Sequence, residues 1–217
     1  MLLTIAENGN ASLRTLVLEV AVPVAAVILV LVLVSIALRS RSVRDALLLG
    51  LAFGALSTAG LELVRNIGFY EFQSMPGQLP ELMGVLITNR IMDGPDLASN
   101  IVGWTDHIWN GAMFGVTYAL VVGGFPRRGG HWMGAGVGAT FGLLIGTGFL
   151  LSPVSRATGA GIFGSNMGPK YAITVYLAHL AFGGALGWLV HRFGSRTEPI
   201  WERALNILAP SRAATSS

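Results

Sequence analysis

Five stretches of this chain are apolar over about 20 residues each, the length that crosses a bilayer core. They are 16–38, 45–64, 104–124, 132–151 and 171–190. Each is read as a membrane-spanning helix. The first is rich in Val, Leu and Ile, has no Gly and a single proline, Pro23. It is expected at the periphery, facing lipid. The other four are rich in glycine and are expected to form the centre of a bundle.

The glycines recur at spacing four. Gly134, Gly138, Gly142 and Gly146 run through the fourth stretch, and shorter pairs follow in the others: Gly50/Gly54, Gly111/Gly115 and Gly183/Gly187. Such stripes let neighbouring helices approach backbone to backbone, where dispersion contact replaces the missing hydrophobic drive. The expected fold is therefore an all-α polytopic transmembrane bundle of five spans with glycine-zipper packing, forming a single membrane domain over 1–217. Two stripes begin with a histidine one turn earlier, giving His107-x-x-x-Gly111-x-x-x-Gly115 and His179-x-x-x-Gly183-x-x-x-Gly187. Spans two–three and four–five then read as a possible duplicated helical hairpin, a parallel repeat of a kind known in membrane proteins.

Between the spans lie two longer connections. Loop 65–103 holds Phe69, Tyr70 and Phe72, then a helix-like stretch over 81–92 ended by Asp93-Gly94-Pro95. Loop 152–169, rich in Gly, Ser and Pro, reads as irregular. In the tail 191–217, residues 198–208 have the pattern of a short interfacial helix anchored by Trp201, and 210–217 read as disordered. Residues 1–12 lack the basic region of a secretory signal and contain Glu7, so the first apolar run is taken as a true span.

Basic residues orient such a chain. Arg39, Arg41 and Arg44 follow span one, Arg127 and Arg128 follow span three, and Arg192, Arg196, Arg203 and Arg212 follow span five. Placing these inside puts the N-terminus outside, the C-terminus in the cytoplasm and both long loops outside.

Composition supports this class. The chain is 53% hydrophobic and 12% charged with a mean hydropathy of +0.64, against about 25% charged residues in soluble domains. The absence of cysteine excludes disulfides, thiolate metal sites and thiol nucleophiles. The net charge of +3 comes without any basic run that fits nucleic acid.

Ionisable groups inside a span are costly and mark functional positions by default. Glu19, Glu62, Asp106, His107 and His179 are such groups. Glu62, Asp106 and His107 fall within about one helical turn of the external boundary and are candidates for one cluster that binds a divalent metal or relays protons. The competing reading makes Glu62–Arg65 a simple i,i+3 pair and Asp106 a helix cap. His179 lies nearer mid-depth, as a candidate haem ligand, metal ligand or proton-relay member, or as a histidine bonded to a neighbouring carbonyl. Counted from Arg127 and Arg192, the two histidines are offset by about 10 Å of depth, which disfavours a single haem held by both; a quinone head group tolerates the offset. No nucleophile elbow, phosphate loop or metalloprotease motif is present, so catalysis is not expected.

The stripe His179-Leu-Ala-Phe-Gly183-Gly-Ala-Leu-Gly187 resembles spans of small bacterial polytopic membrane proteins. That resemblance implies a multi-pass protein of the bacterial inner membrane and carries no activity with it. Three functions follow as expectations. The first is a non-catalytic integral subunit of a larger membrane complex, packing through its glycine-rich helices, docking other membrane subunits through the external loop. The second is a small proton or metal-ion transporter. The third is a haem- or quinone-binding redox subunit.

Overall fold

The computed structural model describes Ala6 and residues 11–125, 129–194 and 197–208. Arg127, Arg128, Arg196 and Arg212, used above to orient the chain, lie outside the described residues, as do Glu7 and residues 210–217. Among the described residues the chain is helical, with no strand.

Helix α1, Leu13–Ala37, begins at Ser12, whose hydroxyl caps the Thr15 N–H, and contains one π-helical turn at Val17–Ala21. Its Leu, Val and Ile side chains are mostly exposed, as its glycine-free composition predicts for a peripheral span. Helix α2 is Arg41–Tyr70 and the shorter α3 is Leu79–Thr88. α3 stops one turn earlier than the pattern predicted, because Asn89 takes the left-handed conformation at φ 58° and closes the helix. Helix α4, Leu97–Val121, opens on a reciprocal cap between Asp96 and Ser99, so Asp96 and not Asp106 is its cap. That backbone N–H bond from Ser99 holds the Asp96 carboxyl below the usual carboxylate range. Helix α5 is Gly130–Leu151. Loop 152–169 is not wholly irregular: it holds the short α6, Pro153–Ala157, and a 3-10 turn at Ile162–Gly164. Helix α7 is Pro169–Phe193, and α8, Ile200–Leu208, lies where the interfacial helix was expected. Trp201 Nε1 donates to the Val121 carbonyl at 2.9 Å and ties α8 to the end of α4.

Four helices, α1, α2, α5 and α7, are long and apolar enough to cross a membrane. The expected fifth span, 104–124, falls on helix α4 as far as its end at Val121. As a whole α4 is long enough at 25 residues, but Asn100, Thr105, Asp106, His107 and Asn110 make it too polar for the same criterion. Both ends of loop 65–103 are helical, since α2 runs on to Tyr70 and α4 starts at Leu97.

The glycine stripes lie at helix contacts. A Cβ added at Gly54 would come within 2.8 Å of Gly115 Cα, and one at Gly138 within 2.7 Å of Gly187 Cα. These pair α2 with α4 and α5 with α7. α2 also packs along α7, through the middle of the molecule, while α4 and α5 barely meet. At one end of the bundle, α3 crosses α4 at Gly84 and Gly103. At the other end Tyr118 of α4 meets Phe141 of α5, ring centres 5.3 Å apart, above a core of Phe182, Leu186 and Val190. Between these two closures, α4 and α5 stand apart over the floor made by α2 and α7.

Candidate functional site

That separation leaves a cavity of about 330 Å³. Thr58 and Leu61 of α2 and His179 and Phe182 of α7 line it, facing His107 and Phe114 of α4. Ile145, Gly148 and Phe149 of α5 form a further wall, and Met83 of α3 covers the end. A smaller cleft of about 60 Å³ adjoins the same two histidines and reaches Arg65.

Both histidines therefore border one space, against the depth offset inferred from sequence. The reason is where the helices end. His107 lies 14 residues before Val121, where α4 stops, and His179 lies 14 residues before Phe193, where α7 stops. α4 ends at Val121, six positions before Arg127 in the sequence, so counting from Arg127 placed His107 too far out. The helix ends are held side by side by Gly124 N–H donating to the Thr197 carbonyl at 3.0 Å.

His107 and Glu62 come together as the sequence predicted. His107 Nε2 is 2.8 Å from Glu62 Oε1; a carboxylate can only accept, so the imidazole N–H donates. Arg65 grips the same carboxylate with both ends of its fork, Nε to Oε1 at 2.8 Å and Nη2 to Oε2 at 2.5 Å. The Glu62–Arg65 pair is thus real, but it is buried, with side-chain exposures of 8% and 4%, and not a surface pair. Isolated charges at that depth would be costly; fork geometry and further hydrogen bonds offset the loss of water. Those further bonds come from residues the sequence did not single out. Gln78 Oε1, just before α3, accepts from Arg65 Nη2 at 2.6 Å. Its amide donates to Asn66 Oδ1 at 3.1 Å, and Asn66 Nδ2 donates to the Glu62 carbonyl at 2.8 Å. The i+4 spacing of Asn66 from Glu62 was the only sequence signal for this network. Arg65 Nη1 stays buried without a hydrogen-bond partner.

Asp106 does not join the cluster. It is one residue, and so about 100° of helix, away from His107. Its carboxylate points to the α1 side, where Oδ2 accepts from Asn110 Nδ2 at 3.1 Å. Glu19 is exposed on α1 and takes no part. Among the described residues no group of three His, Cys, Asp or Glu side chains converges as a metal site.

His179 has a fixed tautomer. Nδ1 lies 2.8 Å from the Val175 carbonyl oxygen, which can only accept, so Nδ1 carries the hydrogen. In the neutral ring Nε2 is left with a lone pair. The other polar wall groups behave alike. The Thr58 hydroxyl donates to the Gly54 carbonyl at 3.0 Å, the Ser152 hydroxyl to the Phe149 carbonyl at 2.7 Å, and Asn110 Nδ2 to the Asp106 carbonyl at 2.8 Å. Each donor is used inside the protein, so these wall side chains have only acceptor atoms left to offer a ligand. The space is therefore apolar, and its polar side chains offer acceptors; Arg65, whose Nη1 is buried without a partner, borders the adjoining cleft. A volume of about 330 Å³ is at the lower end of ligand pockets, room for a one- or two-ring group and not for a porphyrin. His107 also spends its Nε2 on Glu62, which leaves no pair of imidazoles for one haem iron.

Comparison with family models, with curated proteins and with solved structures finds no match to this chain.

Proposed function

We propose that this chain is a non-catalytic membrane protein that binds a small lipid-soluble ring compound bearing a hydroxyl group, of which a quinol head group is the simplest example. The observation that carries this is the acceptor-rich cavity shared by His107 and His179. An apolar ligand with an O–H matches walls whose own donors are already spent, and the His179 lone pair is the best-placed partner for that hydrogen. This narrows the third expectation to its quinone branch. Metal-ion transport lacks a ligand set in the described residues. Membership of a larger complex was expected from the glycine-rich helices and the external loop, but the glycine stripes are used in contacts within this chain, and the exposed apolar side of α1 is covered equally well by lipid.

The finer architecture belongs to this proposal. Five spans, with α4 as the fifth, account for polar groups inside the bundle. Glycine-zipper packing accounts for the close approach at Gly54–Gly115 and Gly138–Gly187. A duplicated hairpin accounts for the like register of both contacts, and the positive-inside bias places α3 outside a bacterial inner membrane with α8 on the cytoplasmic side.

Equilibrium dialysis of the purified protein against 1-naphthol and 1-methoxynaphthalene tests the reading. The two have nearly one shape and differ in one donor. Preferential binding of 1-naphthol is expected, with the preference lost in His179→Phe. Gly148→Phe should abolish binding of both, because nothing lies within 4 Å of a Cβ at Gly148 and the ring would fill the cavity without disturbing a helix contact. Equal affinity for the two compounds, or binding unchanged in Gly148→Phe, refutes it.

A further inference from the structure

A second opening lies on the other side of α4. A groove of about 300 Å³ runs between α1 and α4, separate from the histidine cavity. Val17, Ala21 and Ala25 form one wall; Val102, Asp106 and Trp109 form the other. Contact between α1 and α3 closes it above, where Leu13 packs with Met83 and Val154. Val32, Leu47 and Val116 close it below. The α1 wall is built of small side chains and includes the π-helical turn Val17–Ala21, a local widening of the kind often found at functional positions.

Among the described residues Asp106 is the only ionisable side chain on these walls. It is 7% exposed, and among the described residues its one side-chain partner is Asn110, on Oδ2. Oδ1 has none. Arg90, on the connection above, is already paired with Asp96 at 3.3 Å and does not serve Asp106. A carboxylate in an apolar groove requires a positive partner or a proton. Trp109 lies one turn along the same face of α4, and an indole face attracts cations, most strongly where water is excluded. The remaining walls are aliphatic apart from Thr105, whose hydroxyl donates to the Ile101 carbonyl.

We infer that this groove binds an amphiphile with a cationic ammonium head and an aliphatic chain, the ammonium between Asp106 and Trp109 and the chain along Ala21 and Ala25. The charge selects the cation, the indole accommodates alkyl-substituted ammonium as well as a primary amine, and the small α1 residues leave the width of one chain. This site and the histidine cavity meet at Asn110, which bonds Asp106 and lines that cavity, so Ala21→Phe and Gly148→Phe, which touch one space each, test the two separately.

The test compares dodecyltrimethylammonium with dodecanol on the purified protein in a neutral detergent, reading the thermal unfolding midpoint against concentration. A saturable rise with the ammonium and none with the alcohol is expected. Asp106→Asn keeps the shape and the Asn110 contact and should remove the rise. Ala21→Phe, on the opposite wall, should remove it by filling the groove, which keeps the test open if Asp106→Asn folds poorly. Binding of 1-naphthol should be unaffected in Ala21→Phe, which lines only the groove. An equal response to the alcohol, or a response to the ammonium retained in Ala21→Phe, overturns the assignment.

Discussion

Replacing glycine by alanine should change stability with opposite sign at two positions two residues apart on α5. At Gly138 the added Cβ would sit 2.7 Å from Gly187 Cα and 2.8 Å from the Gly187 N. Ordinary van der Waals contact begins near 3.4 Å. The nearest obstacle is the Gly183 carbonyl oxygen, closer still; all three atoms are backbone and have no rotamer by which to withdraw, so α5 and α7 must separate by more than an ångström. Overpacking of this sort costs about 1–3 kcal/mol. At Gly136 nothing lies within 4 Å of the added Cβ and the residue is exposed. There only the helix propensity changes, in favour of alanine by about 0.5–1 kcal/mol. The predicted gap between the variants is therefore about 1.5–4 kcal/mol, the sum of those ranges. Reversible unfolding in mixed micelles, followed by far-UV circular dichroism, measures it. Gly138→Leu should fall further still, while Val27→Leu on the exposed side of α1 should be neutral. If Gly138→Ala and Gly136→Ala shift stability alike, the α5–α7 contact is not as close as described.

Two further outcomes follow. Glu62→Gln removes the charge that balances buried Arg65, and breaking a buried pair on one side costs about 3–5 kcal/mol; replacing both Glu62 and Arg65 by Met should cost distinctly less, and a double variant as unstable as Glu62→Gln would show that the pair is not a closed unit. A cysteine from Gly77→Cys, in the open connection before α3, should react with an impermeant thiol reagent on intact cells and one from Gly129→Cys should not, the reverse pattern inverting the proposed orientation.

The sequence carried the bundle and half of the site, for identifiable reasons. Helix character follows from apolar length, and the pairing faces follow from glycines at spacing four, because each acts within its own helix. Glu62 with His107 was legible since both lie near one level on stripes that face helix contacts. Depth was not legible. It requires knowing where a helix stops, and the apolar run continuing through Val122 and Phe125 hid the end of α4 at Val121. Asp106 was grouped with Glu62 and His107 because all three lie within about a turn of the external boundary; a shared depth does not make a shared face, and one residue of helix turns a side chain to a different neighbour. Gln78 was out of reach altogether, since its bond to Arg65 depends on how the 71–78 connection folds back over α2.

The like register of the two hairpins explains why the cavity opens where it does. Gly54 of α2 meets Gly111 and Gly115 of α4, and Gly138 of α5 meets Gly183 and Gly187 of α7. Continuing up each stripe by eight residues leads from Gly54 to Glu62, beside His107, and from Gly138 to Gly146, beside His179. One hairpin thus sets a carboxylate against its histidine, and the other sets nothing. His107 has its Nε2 committed, while His179 turns only to its own backbone, 2.8 Å from Val175, and keeps Nε2 unpaired. At Gly146 the missing side chain also makes room, since a Cβ there would stand 3.2 Å from His179 Cγ. Two halves built on one packing rule therefore differ at the single position that decides whether a histidine is tied into the protein or left to face a ligand. The charge is concentrated with Arg65 and Gln78 under the α3 end, and the acceptors are left in the gap between α4 and α5. A carboxylate at both positions would have engaged both histidines; glycine at 146 leaves His179 with only its own backbone as partner among the described residues.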